Sequence, residues 1–401
     1  MKTFATYFQN DPVKPIAYGE VELYNPKRKR LRGETEKTGV EAWPVFCGVC
    51  GTDFELMHMG MEGRLGAKFP EGTARLINGH EGVVWVPEQN RFAIVLIRGG
   101  DSYDPTRYTE EERYFEYGCD QADGIFCDRG FFHPDMLLPL PERYAGCRKL
   151  PLEVAKRLSF ADPYACAIFQ LERMEDLGSA HNFRVEMAKN KCSEEEGRRL
   201  AKEHIFDKVV IFGLGMTGLF MADQIRRGYP NAKILLVGRS AELSPKVVFS
   251  REIAKADYLC TDGFTPEQTA QAIVSRLGGR ASLFVGCSGG NLEHQIAFTH
   301  GVLGCNGIYD SFSLGPKIGF DTMPFGFQNH LIFSSINFRQ VHMEKAIQVL
   351  VDSRYDEVVA LIEKEVLTAD PRAAYENKIF CKGAPLKTGV IWNPDFIEEG
   401  V

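Results

Sequence analysis

Two short stretches near the start of the chain carry side chains that bind metals. Cys50, Thr52 and Asp53 stand together in GVCGTDFEL, and His80 and Glu81 follow in NGHEGVV. Zinc takes thiolate sulfur, imidazole nitrogen and carboxylate oxygen, and a catalytic zinc keeps three protein ligands and one open position. Cys50 and His80 supply two ligands. Asp162, in FADPYACA, is the candidate third, with Glu81 as the alternate. One thiolate and one carboxylate would offset the divalent charge and leave a Lewis acid able to hold an alcohol and favour its alkoxide. By themselves CGTD and GHE each stay open between a ligand pair and a structural turn. Cys47 reads as a core residue.

A third stretch addresses a different ligand. Gly213, Gly215 and Gly218 form GxGxxG directly after the apolar run VVIF and at the start of a helix-like segment. The glycines permit a tight turn and a close approach of backbone to pyrophosphate, and the helix start, with Met216 and Thr217, offers free N–H groups and partial positive charge. The next apolar run ends in Val237-Gly238-Arg239-Ser240, twenty residues past Gly218. An NAD site normally has an acid there for the ribose hydroxyls. Here Arg239 offers a planar, permanently charged donor for a 2′-phosphate, and Ser240 and Lys246 add donors. The expected cofactor is NADP, with NAD the alternative.

These residues need elements to position them. Up to about residue 165, short apolar runs broken by Gly and Pro, such as GVVWV (82–86) and RFAIVLIRGG (91–100), read as strands of an irregular β domain. Residues 101–118 read as a polar and aromatic surface excursion, 151–176 as a helix, and the charged stretch 180–207 as an exposed helical insertion. From 208 onward, KVVIFGLG, KILLVGRS, ADYLCTD, ASLFVGCSGG and NHLIFSSIN alternate with helical stretches. Continuous apolar strands in that alternation imply a parallel sheet covered on both faces.

The bulk properties narrow the class. A chain of 401 residues suits two domains. The net charge of -7, from 47 basic and 54 acidic residues, lacks the basic surplus of a nucleic-acid binder. Eleven scattered cysteines argue for reduced thiols. No apolar run is long enough to span a membrane, and MKTFATYFQNDPVKP lacks a signal-peptide core, so a cytoplasmic location is expected.

In this order the pieces VCGTDFEL, NGHEGVV, ADPYACAIFQLE, VVIFGLGMTGL, LLVGRS and NHLIFSSIN resemble the medium-chain zinc-dependent alcohol dehydrogenase superfamily, most of all the archaeal-type glucose dehydrogenases. The resemblance implies an α/β chain with an irregular GroES-like β-barrel catalytic domain (1–170 and 341–401) and a doubly wound parallel-sheet Rossmann domain (171–340). It implies Cys50 and His80 as zinc ligands, Glu81 as a ligand or near neighbour, and Asp162 at the further acidic position, where the family's Glu is replaced by the shorter Asp. Thr52 matches the family's proton-relay hydroxyl, so Thr52, Cys50 and His80 form the expected catalytic set. The cofactor set is Gly213, Gly215, Met216, Thr217, Gly218, Arg239, Ser240 and Asn337; one of the two arginines of the family's NADP-reading strand end is missing. Glu116, Asp128 and Asn337 match sugar-contacting positions. The family's four-cysteine lobe, which holds a second zinc, has no cysteine in 99–118, so a single zinc is expected. The implied activity is NADP-linked hydride transfer on an aldose, polyol or cyclitol, with a cleft between the domains excluding water and a homodimer or homotetramer as the assembly. The rival readings are an NADPH-dependent reductase of a larger biosynthetic ketone and a non-catalytic NADPH sensor.

Overall fold

The computed structural model describes the chain apart from residues 12, 31–33, 54–55, 57–59, 61–66, 99–114, 313–321, 336–337, 360–361, 365–386 and 399–401. It divides into two compact units, Met1–Asp162 with Phe338–Val401, and Pro163–Asn337. Of the surface excursion expected at 101–118, residues 101–114 lie outside the described residues, and the described residues 115–118 are buried and not a surface piece.

In the first unit a curled, mainly antiparallel sheet runs in the order Leu137–Pro139, Arg91–Val95, Glu81–Val86, Val40–Gly48, Thr388–Ile391 and Glu363–Lys364. Gly130–Phe132 pairs with the start of Val40–Gly48. A second sheet joins Ile16–Glu22, Lys2–Gln9 and Arg75–Ile77. Glu81–Val86 is buried at every position, which explains why its sequence does not alternate. The Val40–Gly48 strand contains Pro44, which cannot donate to a ladder. Its register against Glu81–Val86 shifts just there, between Pro44 and Phe46, as expected of a strand that bends at a bulge. Beyond the bend, Gly48 faces Glu81. The same register brings Cys50, two residues on, beside the turn that carries His80.

The second unit holds a six-stranded parallel sheet in the order Asp257–Cys260, Lys233–Gly238, Lys208–Phe212, Ala281–Gly286, Leu303–Ser311 and Leu331–Phe333. The chain starts at Lys208–Phe212, builds outward to one side, then returns to build the other. The reversal falls between Lys208–Phe212 and Ala281–Gly286, the place where doubly wound sheets bind ligands at the C-terminal strand ends. Val210, Phe212, Leu235, Val237, Phe284 and Tyr309 of the sheet pack with Ile273 and Leu277 of the helix Pro266–Leu277.

The helix boundaries differ from the sequence reading: the stretch expected as one helix over 151–176 holds two, Leu152–Leu158 and a second that begins at Ala161. The helix expected to stop near 176 runs unbroken as Ala161–Asn190, so the charged stretch is its second half followed by Glu194–His204. Glu, Lys, Arg and Met sustain a helix without an apolar stripe. Gly178 does not break it, because the absent side chain is what lets Ile205 pack there: a Cβ would lie 2.2 Å from Ile205 Cδ1. The stretch is also not wholly exposed, since Glu186, Gly197 and Ala201 are buried.

Candidate functional site

In the first unit a candidate site is built from two turns. Cys50 lies two residues past the end of the bent strand, and a helical turn begins at residue 51. The buried Asp53 carboxylate reaches back to accept the Cys50 N–H at 2.9 Å, as an acid at the third position of a helix reaches its cap residue. Its other oxygen accepts the N–H of Gly79 at 3.1 Å. One carboxylate thus ties the Cys50 turn to the His80 turn. Cys50 Sγ then lies 3.2 Å from His80 Nε2, and Cys119 Sγ lies 3.3 Å from His80 Nδ1. Thr52 is half-buried on the turn directly after Cys50.

Two separate sets of donors that share His80 could each hold a metal ion. The ligand atoms of Cys50, Asp53 and His80 lie within 4.8 Å of one another, and so do those of His80, Glu81 and Asp162. Zinc bonds of about 2.3 Å to sulfur and about 2.1 Å to nitrogen can both be made from donors this close. Burial, with help from the Asp53 carboxylate and Cys119, pushes the Cys50 thiol well above its ordinary range. A thiol so placed becomes a thiolate only beside a cation. Burial also raises Asp162 to about 7, with Arg98 opposing it. Glu81 is engaged by a buried ion pair with Lys387, whose ammonium burial pulls down to about 8 against the pull of Cys50 and Asp53.

The other expected residues sit as follows. Glu116 is committed to an ion pair with Arg98, and both are nearly buried. Asp128 is half-buried, with its N–H donated to Phe4 at 3.0 Å, its carbonyl accepting from Asn393 at 2.9 Å, and Arg129 and Tyr18 nearby. Asn337 lies outside the described residues. Cys47 is fully buried and donates to the Ile125 carbonyl, as a core thiol does.

The second unit carries a candidate site of its own, the glycine turn. Gly213 has φ +116, and a Cβ there would come within 2.9 Å of the Cys287 backbone. A Cβ on Gly218 would lie 2.4 Å from the Gly213 carbonyl, so this glycine seats the helix against the strand. Gly215 is different: nothing lies within 4 Å of where its Cβ would be. It is exposed and caps the helix Met216–Gly228 without a side-chain hydrogen bond, leaving the first N–H groups of that helix available. That open cradle at a helix start fits a pyrophosphate. Arg239 follows the strand Lys233–Gly238 with its side chain exposed, Ser240 accepts from Tyr258 through its carbonyl at 2.7 Å, and Lys246 is half-buried.

No protein-family model and no curated sequence matches the chain. Solved structures do. Glucose dehydrogenase from Haloferax mediterranei, in complex with NADP, Zn and gluconolactone, superposes at a TM-score of 0.66 with 17% identity, over 97% of this chain and 99% of that one. The 2R,3R-butanediol dehydrogenase of Bacillus subtilis gives 0.65 at 17%, over 98% and 100%. L-idonate 5-dehydrogenase of Escherichia coli gives 0.64 at 14%, over 98% of each. The chain has the fold of these dehydrogenases. In this medium-chain dehydrogenase fold, the curled sheet carrying Cys50 and His80 is the GroES-like part and the six-stranded sheet behind Gly215 is the Rossmann part. Among the described residues no helix is long and apolar enough to cross a membrane.

Three residues at the site went unassigned in the sequence. Asp53 had a readable signal, because an acid three residues after a turn residue is the spacing of a reach-back cap. Cys119 and Lys387 had none. Lys387 is 306 positions from Glu81 and arrives through strand pairing.

Proposed function

We propose that this chain is a zinc-dependent oxidoreductase that moves a hydride between NADP(H) and the hydroxyl- or carbonyl-bearing carbon of a polyhydroxylated substrate, an aldose, polyol or cyclitol. The observation that carries the reading is the approach of Cys50 Sγ to His80 Nε2 at 3.2 Å, braced by Asp53, in a chain that also carries an open glycine cradle at Gly215. The zinc and NADP of the Haloferax enzyme, and the sugar names of that enzyme and the idonate dehydrogenase, support the same direction.

Cys50 and His80 would hold the zinc, with Asp162 as third ligand. When bound, zinc supplies the Lewis acidity that makes a hydroxyl acidic, and the nicotinamide accepts the hydride. The chain's own residues do the rest. Asp53 keeps the two ligand-bearing turns in register. Thr52, two residues after Cys50, would take the hydroxyl proton and pass it outward. Gly215 admits the pyrophosphate to the first N–H groups of Met216–Gly228, and Arg239 pairs with the 2′-phosphate. The pairing of Glu81 with Lys387 makes Glu81 a neighbour of the ligand set.

The test follows the absorbance of reduced nicotinamide with zinc-loaded protein, NADP and NAD in parallel, and a panel of aldoses, polyols and cyclitols. Turnover on one sugar class, with an NADP preference that Arg239→Ala reduces, is the expected result. Bound zinc and bound NADPH without turnover would point to the larger-ketone reductase instead. A protein that takes up no zinc but binds NADPH would be the sensor.

A further inference from the structure

Both ring nitrogens of His80 face sulfur. Nε2 looks toward Cys50 at 3.2 Å and Nδ1 toward Cys119 at 3.3 Å. A neutral imidazole carries one N–H, so the two contacts differ in kind: one nitrogen donates and the other presents a lone pair. A metal-ligating histidine needs the bare nitrogen on the metal side, and the proton on the far side is normally held by a carboxylate, a carbonyl or water.

The fold brings Cys119 to that far side by a close contact with the His80 turn. The segment Glu116–Ala122 doubles back on itself: Gly118 donates to the Ala122 carbonyl at 2.8 Å, and Cys119 and Asp120 both donate to the Glu116 carbonyl. Gly118 holds φ +70, and a Cβ there would lie 2.4 Å from the Gly79 carbonyl oxygen. A Cβ on Gly124 would lie 2.1 Å from the same oxygen. Backbone bonds complete the clamp: Ile125 N–H to the Gly79 carbonyl at 2.9 Å, and Phe126 N–H to the Asn78 carbonyl at 3.0 Å. Two glycines therefore let this segment lie directly on residues 78–80. Cys119 ends at 1% exposure and His80 at 4%.

We propose that Cys119 is a positioning residue for His80: its sulfur accepts the Nδ1–H, fixes that tautomer and ring angle, and leaves the Nε2 lone pair facing Cys50. The assignment rests on the metal reading given above. It places a thiol where a stronger acceptor is usual. Sulfur is a weak acceptor, so it orients the ring while adding little to its basicity. The geometry, and not the charge, of this contact is what the metal site uses.

Two measurements on the full chain test it. The first titrates zinc against a chromogenic chelator in wild type, Cys119→Val, Cys119→Ser and Cys50→Ser. Val fills the space without accepting a hydrogen bond, whereas Ser keeps an acceptor. Cys119→Val is expected to weaken zinc binding about 10–100-fold, with the urea midpoint of the metal-free protein little changed and Cys119→Ser recovering most of the affinity. Wild-type affinity in Cys119→Val overturns the proposal. The second measurement reads the His80 tautomer from ring nitrogen-15 shifts of the metal-free protein, which needs no metal reading. An Nδ1–H tautomer in wild type that is lost in Cys119→Val supports the assignment. An Nε2–H tautomer in wild type overturns it. Zinc binding that Cys50→Ser leaves intact would instead overturn the metal reading.

Discussion

Asp53 holds Cys50 by its backbone: the carboxylate Oδ2 accepts the Cys50 N–H at 2.9 Å, three residues back along the chain. Because Oδ1 takes the Gly79 N–H as well, the spacing between the sulfur and the imidazole depends on one buried side chain. Asp53→Ala leaves two amides without that acceptor. At about 1–3 kcal/mol for each unsatisfied group, a loss on the order of 3 kcal/mol is expected, visible as a lower urea midpoint. Asp53→Asn keeps one acceptor oxygen and should fall between. An unchanged midpoint in Asp53→Ala would show that the brace is not needed.

Gly215 and Gly218 lie three residues apart in one motif, yet the structure separates their roles. Gly215 has φ -74 and empty space at its Cβ position, so Gly215→Ala should fold normally. The narrower unfolded ensemble of alanine should even add about 0.4–1 kcal/mol. On the proposed function its methyl group would stand in the open space assigned to the pyrophosphate, so NADP affinity should fall. Gly218→Ala presses its Cβ onto the Gly213 carbonyl and should lower thermal stability directly. Calorimetry of NADPH binding beside thermal unfolding separates the two. Equal effects of both variants on both readouts would refute the division.

The buried Lys387–Glu81 pair places a positive charge against the candidate ligands. Removing one member of a buried pair costs about 3–5 kcal/mol, because the other charge is left uncompensated. Lys387→Met should therefore be strongly destabilised when metal-free. A divalent ion at Cys50 and His80 brings positive charge back, so zinc should raise the melting temperature of the variant more than that of wild type. Equal zinc increments in both proteins would show that the amine and the ion do not act on the same charges.

How far the sequence could be read follows from the range of each signal. The Rossmann part was legible because its signals are local: VVIF before Gly213, a helix after it, and apolar runs at regular intervals. Cys50 and His80 were legible as types and motifs, but their approach is a matter of strand register, set by the bulge after Pro44 and the pairing of Gly48 with Glu81. Cys119 reaches His80 through close approach of two loops, and a thiol without a nearby partner cysteine carries no pattern. The helix end at Asn190 was missed because a charged helix has no apolar stripe to count, and its buried contacts, such as Gly178 against Ile205, depend on what packs across it.

Asp310 has no motif at all, yet it makes the clearest pH prediction. It sits on Leu303–Ser311 opposite Val285, fully buried, and neither carboxyl oxygen has a hydrogen-bond partner among the described residues. Burial raises its pKa well above the ordinary carboxyl value. The unfolded chain releases this proton near pH ~3.9, while the folded chain still holds it. Between the two values the native state binds more protons, so stability falls as pH rises through that window. Asp310→Asn removes the ionisation and keeps the shape. An unpaired amide is also unfavourable in an apolar site, but less so than a carboxylate forced to ionise. The variant should therefore match wild type near pH 4 and exceed it at pH 8, by about 1–3 kcal/mol. Urea unfolding at several pH values checks this. Parallel pH profiles for the two proteins would mean that Asp310 finds a partner or a water in solution and contributes nothing to the pH dependence.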